Sequence, residues 1–232
     1  MLADRAEDVP LSLADLHAAT QVGELVDLAM PASVRERTAD LIAGGGFELT
    51  AVDPAGLTVG RIRTLPDVVG SDMRLLVCGL NPSLYAADHG VNFARPGNRF
   101  WPAMLEAGLV TVDRDPRHAL VHHGIGMTDL VKRATVAAAE LTTDEFVAGL
   151  GRVERLCAWL RPRALCVVGL GGWRAVVDRK AVVGWQPEPL GGVPVYVMPN
   201  TSGLNASTQH DGFVGHLLAA TDPGCPSTGS GS

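Results

Sequence analysis

The stretch Arg74-Leu75-Leu76-Val77-Cys78-Gly79-Leu80-Asn81-Pro82-Ser83 decides the fold. After Arg74 it is apolar on nearly every residue, the pattern of a strand covered on both faces, as in a parallel sheet. Asn81-Pro82 then halts it, because proline lacks a backbone donor and restricts the residue before it. Two more runs have the same texture, Ala164 to Gly169 and Val193 to Met198. Helix-like stretches fall between and after them, at Phe100 to Gly108, Thr143 to Leu160, Trp173 to Val177 and Asp211 to Ala220. Strand-like and helix-like segments in alternation predict a three-layer α/β/α sandwich with a mostly parallel central sheet over residues 66–220.

Residues 1–65 read as a small α+β appendage of unknown role. Helix-like stretches Leu11 to Ala29 and Ala32 to Ala43 end at Gly44-Gly45-Gly46, and short strands Phe47 to Val52 and Leu57 to Ile62 flank the turn signal Asp53-Pro54-Ala55-Gly56. Residues 221–232 read as a flexible tail, Gly/Ser/Thr-rich from Pro226 onward.

Composition sets bounds. The 232 residues are 47% hydrophobic and carry a net charge of -6, enough apolar material for a buried core. The longest apolar stretch, Ala164 to Trp173, is ten residues, short of the roughly 18 that span a bilayer. Met1 to Leu13 mixes Asp4, Glu7 and Asp8 with a lone Arg5, unlike a secretory leader, so a cytoplasmic location is expected, with the nucleoid in a bacterial-type cell. Cys78, Cys157, Cys166 and Cys225 fit neither a zinc nor a redox spacing and read as reduced thiols, Cys225 in the tail. Acidity argues weakly against nucleic acid, yet it is concentrated in front: residues 1–66 carry -5 and the remainder only -1. Arg95, Arg99, Lys132 and Arg133 read as a local cationic patch or as solvated surface.

In doubly wound sheets, ligands bind where loops leave the carboxyl ends of parallel strands. The residues after the first strand, Leu80 to Ser83, and after the third, Pro199 to Asn205, therefore face one cleft if both strands are parallel. Asn81, held between a strand end and a proline, offers an acceptor and a donor to a water or a planar amide; the plainer reading is a structural Asn-Pro turn. Leu204, among small residues, is either a wedge between bases or a loop anchor. Phe93 is a stacking platform or a core ring.

Four ordered strings, GLNPS (79–83), FARPGNRFW (93–101), GIGMTDLVKRAT (124–135) and MPNTSGLN (198–205), resemble those of the mismatch-specific uracil/thymine DNA glycosylases of the uracil-DNA glycosylase superfamily. The resemblance runs from about Leu65 to Ala220 and does not cover the appendage or the tail. It implies an enzyme that flips a damaged or mispaired pyrimidine out of double-stranded DNA and hydrolyses its N-glycosidic bond to leave an abasic site, and it implies no metal or organic cofactor; a monomer is expected. By the same resemblance, Asn81 positions the attacking water and Thr135 lies near it. Phe93 stacks on the flipped base, with Leu80 and Asp129 also at the base. Gly203, Leu204 and Asn205 match the loop that enters the duplex and faces the widowed guanine, and Asn200, Thr201 and Ser202 before them are expected to bind DNA with it.

The physics agrees with that assignment. Breaking a deoxyribosyl bond builds oxocarbenium character on the sugar and negative charge on the departing base, which fixed backbone N–H dipoles at Leu80 and in the Phe93 loop can receive. Asn81 orients water but cannot take its proton. A mispaired base leaves the stack more cheaply than a paired one, which adds selectivity. The sequence departs from the family at three places. Asp129 stands where relatives carry a neutral or basic residue; its carboxylate can accept N3–H of uracil but repels the carbonyl oxygens, or it is a helix-start or loop residue capping backbone N–H groups. Ala206 stands where some members have an arginine, and Thr201 replaces a proline, adding a hydroxyl for a phosphate.

Two rival readings are a non-catalytic damage-scanning module on the same fold and a nucleotide-binding oxidoreductase or hydrolase. Gly169-Leu170-Gly171-Gly172-Trp173 lacks the third glycine that a dinucleotide fingerprint needs. His122 and His123, being adjacent, diverge and lack a third metal partner.

Overall fold

The computed structural model describes residues 2–3, 5–54, 56–203 and 208–224, with only the backbone of Asp53. The front of the chain folds around its own apolar cluster. Helix α1 (Val9–Ala19) is followed by strand β1 (Leu25–Leu28), helix α2 (Thr38–Gly44), and strands β2 (Phe47–Asp53) and β3 (Gly56–Arg61). The strands make an antiparallel sheet in the order β1-β3-β2. Val9, Leu13, Val34, Leu41, Ile42, Phe47 and Val59 fill the space beneath it. The expected helix Leu11 to Ala29 is corrected here: it stops at Ala19, Gly23 turns the chain at φ +85°, and Leu25–Leu28 pairs with β3. Val26 and Leu28 share the strand face that packs on the cluster while Leu25 is exposed, and the pairing overrides the helix-like spacing.

The second sheet begins with β4 (Leu75–Gly79), followed by helices α3 (Leu84–His89), α4 (Phe100–Glu106) and α5 (Pro116–His123) and strand β5 (Ile125–Asp129). Helix α6 (Thr143–Leu160), strand β6 (Leu165–Val168), helix α7 (Leu170–Val176), strands β7 (Gly184–Trp185) and β8 (Val195–Met198), and helix α8 (His210–Ala220) complete it. The order is β5-β4-β6-β8-β7, parallel except for the edge strand β7. Three of the five strands match the runs read from sequence; β5, β7 and the helices α3 and α5 are additions.

Alternation of side chains across the pleat builds the three layers. Leu76 and Cys78 of β4 join Leu165, Val167, Val195 and Val197 under α6 and α7. Leu75 and Val77 join Cys166, Val168, Tyr196 and Met198 under α4 and α8. Helix α6 starts with a reciprocal capping box between Thr142 and Glu145 and ends at Arg161 in the left-handed region. Its buried stripe is Phe146, Gly149, Val153, Leu156, Cys157 and Leu160. Gly149 is required there, because a Cβ would lie 2.1 Å from the Leu130 carbonyl oxygen just beyond β5. No helix among the described residues is long and apolar enough to cross a membrane.

Candidate functional site

The chain leaving β4 is stitched to the chain leaving β5. Leu130 N–H donates to Gly79 O and Val131 N–H to Leu80 O, both at 2.9 Å; Thr135 N–H donates to Pro82 O at 3.1 Å. That zipper sets Asn81 beside Thr135. Asn81 Nδ2 donates to Thr135 Oγ1 at 2.7 Å and to the carbonyls of Arg133 and Pro82 at 3.0 and 3.1 Å. Carbonyls only accept, so the amide nitrogen must face them. Thr135 Oγ1 passes its own proton to Ala137 O at 2.9 Å. No donor among the described residues reaches Asn81 Oδ1, which leaves the half-buried amide with one unengaged acceptor.

Asn81 and Phe93 line the same cavity, about 430 Å³, over the carboxyl ends of β4 and β5. Phe93 sits at φ +57°, uncommon for a large side chain and indicative of a position held by its surroundings. Its ring stacks on Phe100 with centroids 4.1 Å apart, so one face rests on the core. Gly79 must lack a side chain: a Cβ would come 2.4 Å from Asp129 Oδ1 and 3.5 Å from Phe93 Cζ.

Asp129 ends β5 and is buried, so the helix-start or loop reading is corrected. Its Oδ2 accepts from Asn92 Nδ2 at 3.1 Å, and Asn92 O accepts from Trp101 Nε1 at 2.7 Å. Burial pushes the carboxyl up to about 6, against the pull of Lys132 and Arg152 and with the repulsion of Asp67.

The cavity gathers Leu80, Asn81, Phe93, Asp129, Thr135, Asn200 and Ser202. Thr201 is fully buried, which corrects the expectation that its hydroxyl faces a phosphate: its backbone instead accepts Arg99 N–H at 3.0 Å. Gly203 lines a smaller neighbouring cleft of about 190 Å³ with Arg95, Asn98 and Ser202. Leu204, Asn205 and Ala206 lie outside the described residues, as does Cys225.

Of the two readings given to the four cations, Lys132 fits neither patch nor solvated surface, while Arg133 is exposed as the second expects. Lys132 is buried against Asp67, and Arg133 pairs with Glu145. Arg99 donates to the carbonyls of Thr208 and Ser202 and lies over Phe213. Of the four, Arg95 is the one exposed beside the cavity.

Sequence reasoning missed the group behind β5. Asp67 Oδ1 accepts from Lys132 Nζ at 2.9 Å and from Thr128 Oγ1 at 2.6 Å, while Oδ2 accepts from Arg152 at 2.6 Å. Arg152 also donates to Asp129 O at 2.7 Å. Arg152 left one signal, a charge on the apolar stripe of α6. Asp67 left none. Among the described residues no group of three or more His, Cys, Asp or Glu side chains is arranged to hold a metal ion.

Sheet and cavity together define an α/β protein of the doubly wound kind with a cavity at the carboxyl edge of its parallel strands, the edge at which such sheets bind ligands. Residues 66–219 match the uracil DNA glycosylase superfamily, and the chain belongs to that family. Members of the superfamily are DNA glycosylases, hydrolases that act on DNA.

Proposed function

We propose that the protein is a monofunctional mismatch-specific glycosylase that releases uracil, and thymine as a second substrate, from a mispair with guanine in duplex DNA. The carrying observation is that Asn81 and Phe93 line one cavity, the amide nitrogen tied down and the amide oxygen left unengaged. A base everted onto Phe93 would bring its sugar over Asn81, whose Oδ1 would hold a water for attack on C1′. The C1′–N bond breaks, the water oxygen bonds to C1′, and the base departs with the bonding electrons and is then protonated. Asn81 cannot serve as base, so the water's proton leaves through solvent after the sugar has gained positive character.

Asp129 supports recognition of the base edge, its carboxylate accepting N3–H. The loop from Asn200 to Asn205, with Leu204 as its wedge, would fill the gap the base leaves. Because a mispaired base costs less to extrude, such a site favours mismatches without a strong chemical step.

The test is a labelled duplex with a single G·U pair, incubated with the protein and treated with alkali. A break at the uracil supports the reading; an intact strand with bound DNA would instead support a non-catalytic scanning module.

A further inference from the structure

The chain from the N-terminal unit does not enter the second sheet as a loose linker. Ile62 N–H donates to Gly46 O and Asp67 N–H to Gly44 O, at 3.1 and 2.7 Å. Thr64 Oγ1 donates to Lys132 O. Leu65 lines the cavity that holds Asn81 and Phe93. Val68 and Met127 then exchange two backbone hydrogen bonds at 2.9 Å, tying the segment to β5. Asp67 is at the centre, 4% exposed, between Lys132 at 9% and Arg152 at 7%. Gly44 closes over it: a Cβ there would lie 2.5 Å from Asp67 Oδ2 and 3.3 Å from an Arg152 guanidinium nitrogen.

We propose that Asp67 is a positioning residue for the base cavity, acting through Lys132 and Arg152 to fix the end of β5 and the segment that carries Thr135. Lys132 lies three residues before Thr135, so the ion pair at 2.9 Å anchors the chain that orients Asn81. Arg152 grips the backbone of Asp129 while its other nitrogen is held by Asp67. Burial opposes ionisation of Asp67, but Arg152, Lys132 and Thr128 outweigh it and hold the carboxyl below its ordinary range. The groups facing Asp129 are Asp67 from the linker, Lys132 beyond β5, Arg152 from α6, Cys78 from β4 and Asn92 from the loop before α4. In this arrangement the N-terminal unit, through Gly44, becomes part of the scaffold of the cavity. The activity arm of the test rests on the glycosylase reading; the titration arm does not.

The full chain is compared with Asp67→Asn and Gly44→Ala in two measurements. Single-turnover base release from a G·U duplex and affinity for an abasic duplex are followed between pH 5 and 9, and the Asp129 carboxyl is titrated by carbon NMR. Asp67→Asn should slow release by about 10–100-fold with little change in abasic affinity. It should also move the Asp129 midpoint to lower pH by about 0.5 or more, because a negative neighbour has gone while both cations remain. Gly44→Ala keeps every charge and should slow release by a few fold, roughly 3–10, by displacing Asp67. Should Asp67→Asn fail to fold, Gly44→Ala carries the decision. A folded variant releasing base within about twofold of the parent overturns the proposal, as does a pH-independent loss with the Asp129 midpoint unmoved. If the parent releases no base, the glycosylase reading fails, and an unmoved midpoint would overturn this proposal separately.

Discussion

Thr135 Oγ1 accepts a hydrogen bond from Asn81 Nδ2 at 2.7 Å across 54 positions of sequence. The contact joins the turn after β4 to the segment after β5, and together with the carbonyls of Arg133 and Pro82, which can only accept, it leaves the amide oxygen for solvent. Removing that amide should therefore abolish the proposed chemistry while sparing DNA binding. Asn81→Ala is expected to slow base release from a G·U duplex by about 100-fold or more, since a misplaced water alone costs that much. Its affinity for an abasic duplex should stay near the parent's in a gel-shift titration. Equal release by the variant would remove Asn81 from the reaction.

Thr135→Val tests the orientation separately from the amide. The change nearly preserves volume but deletes the acceptor, so Asn81 loses one of three partners and gains rotational freedom. One hydrogen bond corresponds to about 1 kcal/mol, and release should slow by roughly 5–10-fold. Single-turnover kinetics would read this directly. A loss as large as that of Asn81→Ala would mean that Thr135 touches the reacting groups itself.

Gly79→Ala probes the cavity floor. A methyl group 2.4 Å from Asp129 Oδ1 must displace the carboxylate or the strand end, with Phe93 Cζ close behind at 3.5 Å. Overpacking of this kind costs about 1–3 kcal/mol. The variant should melt at a lower temperature and lose base release more than abasic binding. A variant with parental activity and melting temperature would show that the floor is not as tight as these distances require.

The parts of the fold legible in sequence are those where local pattern and tertiary environment agree. β4, β6 and β8 are buried on both faces and nearly all apolar, so their runs announce them. β5 is equally buried, but Gly126, Thr128 and Asp129 interrupt its apolar run, and its polar residues are matched by partners far away in the chain. β1 misled because four residues hold both helical and strand spacing, and only pairing with β3 decides. In the site, Asn81, Phe93 and Thr135 were carried by local strings. Asp67 was not: its partner Arg152 is 85 positions away, and no local feature distinguishes an aspartate in a buried ion pair from one on a surface turn. Lys132 was misread for the same reason.

Asp129 links specificity to stability and allows both to be measured in one variant. Its folded carboxyl titrates at about 6, raised by burial from the ordinary 3.8. Folding therefore favours the protonated form. This group's contribution to stability is full below about pH 3.8 and is lost as pH rises through about 6, leaving a penalty of about 3 kcal/mol at pH 8. Asp129→Asn keeps the shape and an acceptor for Asn92 without the charge. It should raise the melting temperature by roughly 6–12 °C at pH 8 and by almost nothing at pH 4. Base preference should change with it, because an amide in place of the carboxylate no longer repels carbonyl oxygens. Release from duplexes carrying uracil, thymine or hypoxanthine would reveal the new order. If the stabilisation is the same at both pH values, ionised Asp129 is not the source of strain; if the base profile is unchanged, its carboxyl does not read the base edge.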